Sequence, residues 1–401
     1  MSPLSTTVPL FSIQPTFLDV IADVRSGTTN KDSFYISSFI KDKSVHGTVD
    51  VYRSGSEVVL RGHDGFNVEL GNHKLTLNVS CPELDVSNVL IKSPSSQIAV
   101  YSPKVIETFD ISPQGELYVV GGPNGELSIS SITDNGAFSR TLEGHLTYVT
   151  KAMFFPSGQV VLSAGGDMQI KLWSAADGSN PRTFIGHKRA VTDLAMIGRG
   201  RNILSASKDG TVKLWECGSG TLIYSFTNPL DSPLEPRAMA VSKRYDGISA
   251  SSLSPLEFET DDKLLTIGYD NGDIAIYSLS TKNMLASIPS KSADSDISNI
   301  DVVDDRIFVA RGEKSEIWDL RSLTVPLETI SLPSPVVGIG ASGVNSVAFA
   351  TQIGTPVVFA DHKVSYYAAG FDDSTVIGVK NRSLTGGGIY FAGKNGSIKR
   401  Y

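Results

Sequence analysis

The stretch from Gly144 to Cys217 is one unit written twice, and no other feature limits the possible folds as tightly. GHLTYVTKAMFFPSGQVVLSAGGDMQIKLWSA begins at Gly144 and GHKRAVTDLAMIGRGRNILSASKDGTVKLWEC begins at Gly186, 42 residues later, with 12 of 32 aligned positions identical. His145/His187, Val149/Val191, Gly158/Gly200, Ser163/Ser205, Asp167/Asp209 and Trp173/Trp215 all keep that offset. A fixed period of this length marks a repeat architecture. Within each copy the pattern has period two: VTKAMFF or VTDLAMI, then VVLSA or NILSA, then MQIKLW or TVKLW, separated by turn chemistry such as PSG and KDG. Each copy therefore predicts a four-stranded sheet (strands a to d) whose outer strand lies just before the next Gly-His.

Four strands every forty-odd residues, with Gly-His early and an aromatic late, resemble WD repeats, the blades of a β-propeller. In WD blades a turn Asp, a His ahead of strand a, a Ser on strand b and a Trp on strand c form a buried hydrogen-bonded chain. The matching positions are Asp167, His145, Ser163 and Trp173, then Asp209, His187, Ser205 and Trp215. Such a chain gains from a low local dielectric only if every member is paired, so losing one strands the others. Ser, His and Asp together also suggest a nucleophilic triad, but the Trp partner and the duplication point to a structural role.

The strand-c position counts the blades. It is occupied by Ser130, Trp173, Trp215, Tyr277, Trp318, Phe359 and Tyr401, in steps of 41 to 43 residues except for one step of 62. The expected fold is all-β: a seven-bladed WD-repeat propeller over residues 94–401, preceded by a small, mostly β domain at 1–93. Because Tyr401 falls on strand c, QIAVYS at 97–102 is expected to supply the last blade's outer strand and close the ring, which removes open sheet edges. The long step places extra residues in TNPLDSPLEPR (227–237), between blades, and in SKRYDGISASSLSPLEFET (242–260), between strands a and b of blade 4. Upstream, residues 33–40, 47–54, 57–61 and 74–80 read as strands, FLDVIADVR (17–25) as a helix, Gly62-His63 as a tight turn and IKSPSSQ (91–97) as a linker.

Composition narrows the function. A net charge of −7 and a pI near 5.4 argue against a general nucleic-acid or anionic-membrane binder and favour a basic partner. Only Cys81 and Cys217 are present, so a disulfide framework or zinc set is not expected, and a reducing compartment fits. No secretory leader or 18-residue apolar run is seen. GGPNG and LTGGGIY are blade turns rather than phosphate cradles, and the six His lack metal-ligand spacing. No enzyme activity, catalytic residue, cofactor or metal is expected.

The run from Phe154 to Thr221, with DGSNPRT (177–183) and LWECGSGT (214–221) beyond the generic WD pattern, resembles the proteasomal ATPase-associated factor family. That resemblance implies a WD-repeat chaperone for assembly of the proteasome regulatory particle. It would bind the C-terminal small domain of the sixth Rpt ATPase subunit by the propeller face, as a monomer in cytoplasm and nucleus. The alternative is a WD-repeat scaffold, such as a ubiquitin-binding or ligase substrate-receptor propeller. The family is thought to present acids to a basic ATPase surface, so acids are sought in the loops from an outer strand to the next strand a, which share one rim, the top. Asp231, Glu235, Asp294, Asp296, Asp372 and Asp373 lie in them, whereas Lys188, Arg189 and Lys208 make blade 3 basic. Exposed ion pairs contribute only about 0–1 kcal/mol each, so anchors should be aromatics and Arg. Tyr148, Arg189, Tyr269, Arg311 and Phe371 are the candidates.

Overall fold

The computed structural model describes residues 3–73, 76–100, 102–133, 138–228, 234–242, 253–290, 296–371, 374–382 and 388–401. These residues form seven four-stranded antiparallel blades. Their first strands, Thr108–Ile111, Val149–Phe154, Val191–Ile197, Pro236–Val241, Ile297–Val303, Val336–Gly343 and Val376–Arg382, stand side by side, and the seventh touches the first. The period-two pattern sets strand existence, but tertiary packing sets burial. Strand b of blade 3, Asn202–Ser207, is buried along its whole length because a neighbouring blade covers each face. The outer strand Leu222–Thr227 keeps an exposed side.

The strand-c positions fall as the spacing predicts. Ser130, Trp173, Trp215, Tyr277, Trp318 and Phe359 pair with Tyr118, Val161, Ile203, Leu265, Ile307 and Val347 of the adjacent strand b. Tyr401 exchanges backbone hydrogen bonds with Ile389. The seventh blade takes its outer strand from far upstream, Ser96–Ala99 running antiparallel to Ser397–Arg400.

Strand-a carboxylates that sequence reading did not single out tie blade to blade. Asp110, Asp193 and Asp301 each accept the backbone N–H of the next blade's first strand, at Phe154, Met239 and Ala341, all at 2.9 Å. Arg382 (2.7 Å) pairs with Asp110 and Lys151 (2.8 Å) with Asp193, so these two buried charges are compensated. Both cysteines are free, and burial pushes the Cys217 thiol up to about 12.

Residues upstream of the ring include a sheet of Leu10–Ile13, Lys31–Ile40, Lys43–Ser54 and Glu57–Gly62, with α1 (Phe17–Ser26) packed on it. The helix buries Phe17, Val20, Ile21 and Val24, a one-face spacing, and stops at Gly27, whose φ of +84° makes a left-handed cap. Gly62-His63 enters a turn closed by the Phe66 N–H on the His63 carbonyl, 3.2 Å.

This region is not set apart from the propeller by a linker. Leu4–Thr7 adds in parallel to the outer strand of blade 5, Glu328–Ser331. Val86–Lys92 adds in parallel to the outer strand of blade 6, Lys363–Ala368, and is extended by Thr76–Cys81 and Asn67–Leu70. Ile91 and Lys92, read from sequence as the start of the linker, pair with Tyr367 and Ala368. One apolar core runs from Phe11, Phe17 and Phe34 to Phe308, Phe349, Phe359 and Tyr367. Two sheet edges that would otherwise be open are covered in this way.

Of the blade-4 insertion, the segment from 253 to 260 crosses the end of blade 3 that carries its a–b turn. Asn202 donates to the Leu256 carbonyl at 2.9 Å and accepts the Phe258 N–H, while Arg201 lies 3.3 Å over the Phe258 ring. That end is opposite the top rim.

Candidate partner-binding rim

In blades 2 and 3 the buried networks pin the loops that form the rim. His145 Nδ1 donates to Asp167 at 2.9 Å, and Ser163 Oγ, 2.7 Å from His145 Nε2, accepts from Trp173 Nε1 at 2.7 Å. Blade 3 repeats the chain with 2.8, 2.7 and 2.8 Å among His187, Asp209, Ser205 and Trp215. The same carboxylates accept the rim-loop N–H groups of Leu146 (3.1 Å) and Lys188 (2.9 Å). Each network therefore holds a d–a loop against a b–c turn.

Burial alone would raise the Asp167 and Asp209 carboxyls, but hydrogen bonds from His145, from His187 and Thr211, and from the loop N–H groups outweigh it and hold both below the usual carboxylate range. A depressed folded-state pKa stabilises above the unfolded value, near 3.9, and is lost as pH falls through the folded value. Acid unfolding of the wild type should therefore steepen below about pH 4. Asp167→Asn with Asp209→Asn should flatten that slope and lower stability at pH 7 by roughly 1.5–3 kcal/mol per site. Urea midpoints measured from pH 2 to 7 check both effects.

Of the rim acids named from sequence, Asp231, Asp294, Asp372 and Asp373 lie outside the described residues. Glu235 and Asp296 are described, and arginines engage both. Arg189 Nη1 reaches Glu235 at 2.7 Å, and Arg237 lies 3.7 Å from Glu235 and 3.6 Å from Asp296. Asp270, which sequence reading missed, joins them by accepting the Glu235 N–H at 3.1 Å. Its turn, Tyr269-Asp270-Asn271-Gly272, aligns with Ser207-Lys208-Asp209-Gly210, so Asp270 stands where blade 3 has Lys208; that alignment could have found it. Burial raises the Asp296 carboxyl, Arg237 opposes the rise, and Asp270 and Glu235 add to it.

Three of the five candidate anchors are interior residues. Tyr269 is 2% exposed, because strand b lies between packed blades. Phe371 is 2% exposed and packs edge-on against Phe391 under Lys399. Arg311 is buried, donating to the Gly272 carbonyl and lying 3.3 Å from Glu316. None of the three can anchor a partner. Tyr148 and Arg189 do face solvent. The Tyr148 ring lies over Gly166, where a Cβ would collide with it. Sequence reading also missed Leu146, Met168 and Ile185, all exposed apolar residues of the blade 2 and 3 loops. Among the described residues no His, Cys, Asp and Glu side chains converge as a metal site.

A family model described as WD domain, G-beta repeat matches residues 136–174 and 178–216, which include both complete networks. The chain is similar to the 26S proteasome regulatory subunit RPN14 of Saccharomyces cerevisiae, 32% identical over 339 residues, or 81% of this chain and 78% of that protein. Shorter matches are to a probable proteasomal ATPase-associated factor 1 of Dictyostelium discoideum (33% identical; 30% of this chain, 28% of that one) and to proteasomal ATPase-associated factor 1 of Homo sapiens (35%; 24% of each). With the propeller, its paired networks and a relative matched over most of both chains, the protein belongs to the RPN14 family of WD-repeat proteasomal ATPase-associated factors.

Proposed function

We propose that this protein is an assembly chaperone of the proteasome regulatory particle that binds an ATPase subunit, the sixth Rpt, by that subunit's C-terminal domain. It acts by recognition rather than catalysis. The observation that carries this reading is the 32% identity to RPN14 across 78% of that protein, too long to reflect WD repeats alone. A closed ring with pinned rim loops supplies the rigid platform that such binding needs. The docking face is the top rim, where Glu235, Asp270 and Asp296 cluster on blades 4 and 5 and Tyr148 is half-exposed on blade 2.

The test is a pull-down from cell extract with the full chain, analysed by mass spectrometry at low and high salt. Free proteasomal ATPases should be recovered without the core particle. Salt should weaken capture, because rim charges are screened over about 8–10 Å at 0.1–0.15 M. Asp270→Lys with Asp296→Lys should weaken it further. Recovery of a ubiquitin ligase or another finished complex without those ATPases would overturn the reading and favour the scaffold alternative.

A further inference from the structure

The rim is not uniform, and its least expected backbone is on blade 2. Five residues before the strand-c position, five other blades carry glycine: Gly125, Gly210, Gly272, Gly354 and Gly396, with φ of +85°, +85°, +84°, +83° and +84°. Each closes a b–c turn in the left-handed region, where a Cβ is disfavoured. Blade 2 has Met168 there, at φ +66°, with its side chain 41% exposed. Burial of the Met168 side chain does not offset that strain; the hydrogen bonds to neighbouring Asp167 hold the turn, and strained backbone held in this way clusters at functional positions.

The neighbours of Met168 share its character. Leu146, 79% exposed, is held by its N–H to Asp167, the residue beside Met168. Ile185, 76% exposed, follows Phe184, which pairs with Ile170 two residues beyond Met168. These two are the most exposed large apolar side chains among the described residues. The next sector, blade 3, is basic through Lys188 and Lys208; beyond it lie Asp270 and Asp296.

We propose that Leu146, Met168 and Ile185 seat an apolar side chain of the docked ATPase domain, whose surface carries an acidic group over Lys188 and Lys208 and basic groups over Asp270 and Asp296. This rests on the reading that the top rim is the docking face. A uniformly basic partner would set like charge against the two lysines; a divided one complements all three sectors and fits in one orientation.

The experiment titrates the purified sixth Rpt subunit against the full-length protein and three variants. Leu146→Asp with Ile185→Asp alters exposed side chains only and should weaken binding at least about tenfold, the level of an interface hot spot. Met168→Gly should keep or raise the melting temperature, because glycine suits the left-handed turn, yet weaken binding severalfold; a purely structural role would not move binding that way. Lys188→Glu with Lys208→Glu should weaken binding at low salt. Unchanged affinity in the first two variants overturns the apolar seat, and tighter binding in the third means that the partner is uniformly basic and overturns the divided surface. If the wild type itself does not bind the subunit, the proposed function falls and takes this inference with it.

Discussion

A fragment of residues 94–401 is expected to lose cooperative folding, although it holds all seven blade sequences. Removing the upstream region uncovers Phe349, Phe359 and Tyr367, each at most 2% exposed in the whole chain. Tyr367 also loses its edge-on contact with Phe11 (4.8 Å) and its hydroxyl bond to the Pro9 carbonyl (2.7 Å). Thr355 loses its backbone partner at Phe11, and two outer strands become open edges. At about 1.5–3 kcal/mol per large apolar side chain, exposing these three alone rivals the roughly 5–15 kcal/mol that holds a whole domain together. The fragment also lacks no residue between the rim and its networks, so any loss reflects the shared core. Circular dichroism melts and size-exclusion chromatography would show a broad or absent transition and aggregation; a sharp melt within a few degrees of the full chain would mean that the upstream region is dispensable. Phe11→Ala in the intact chain is the gentler version, with an expected cost of about 3–5 kcal/mol.

The second large effect is at ring closure. Deleting Ser397–Tyr401 removes strand c of blade 7, leaving Ser96–Ala99 without its partner and opening the edge of the strand Gly388–Gly393. Ile398 and Tyr401, 0% and 6% exposed, leave the core, and Phe391 loses the Tyr401 ring at 5.8 Å. Two such side chains are worth about 3–6 kcal/mol together. For a chain of this size that lowers the melting temperature by roughly 10 °C or more, on a scale of about 2–4 °C per kcal/mol. Equal melting temperatures for truncated and full-length protein would contradict the closure. Tyr401→Phe, which keeps the ring and removes the hydroxyl that donates to the Ala369 carbonyl, should cost far less, about 0.5–1.5 kcal/mol.

Two features of the rim are legible in the sequence once every turn is aligned. Asp270 occupies the position of Lys208 in the adjacent blade, and Met168 interrupts a series of glycines at a constant distance from the strand-c residue. Both follow from aligning all the turns rather than the two strongest repeats. Tyr269 and Phe371 failed for a different reason. Position in a blade tells which end of a strand a residue occupies, but not whether the next blade covers it. Arg311 shows the same limit, since its place at the end of a strand gives no hint that its guanidinium turns inward to the Gly272 carbonyl.

What the sequence alone determined is therefore what repeats: period-two strands, the turn chemistry between them, the two His–Asp–Ser–Trp chains and the seven strand-c positions, spaced 41 to 43 residues apart but for one step of 62. These are local or fall at a constant offset, so each copy reinforces the others. What only the tertiary structure decided is what happens once. The parallel addition of Leu4–Thr7 and Val86–Lys92 to blades 5 and 6 joins residues about 280 to 320 positions apart, with no second copy to reveal it. The bridging of Glu235 and Asp296 through Arg237 likewise depends on side chains from neighbouring blades meeting at the rim. Local pattern specifies each blade, whereas burial and charge pairing between blades depend on the packing that the closed ring imposes.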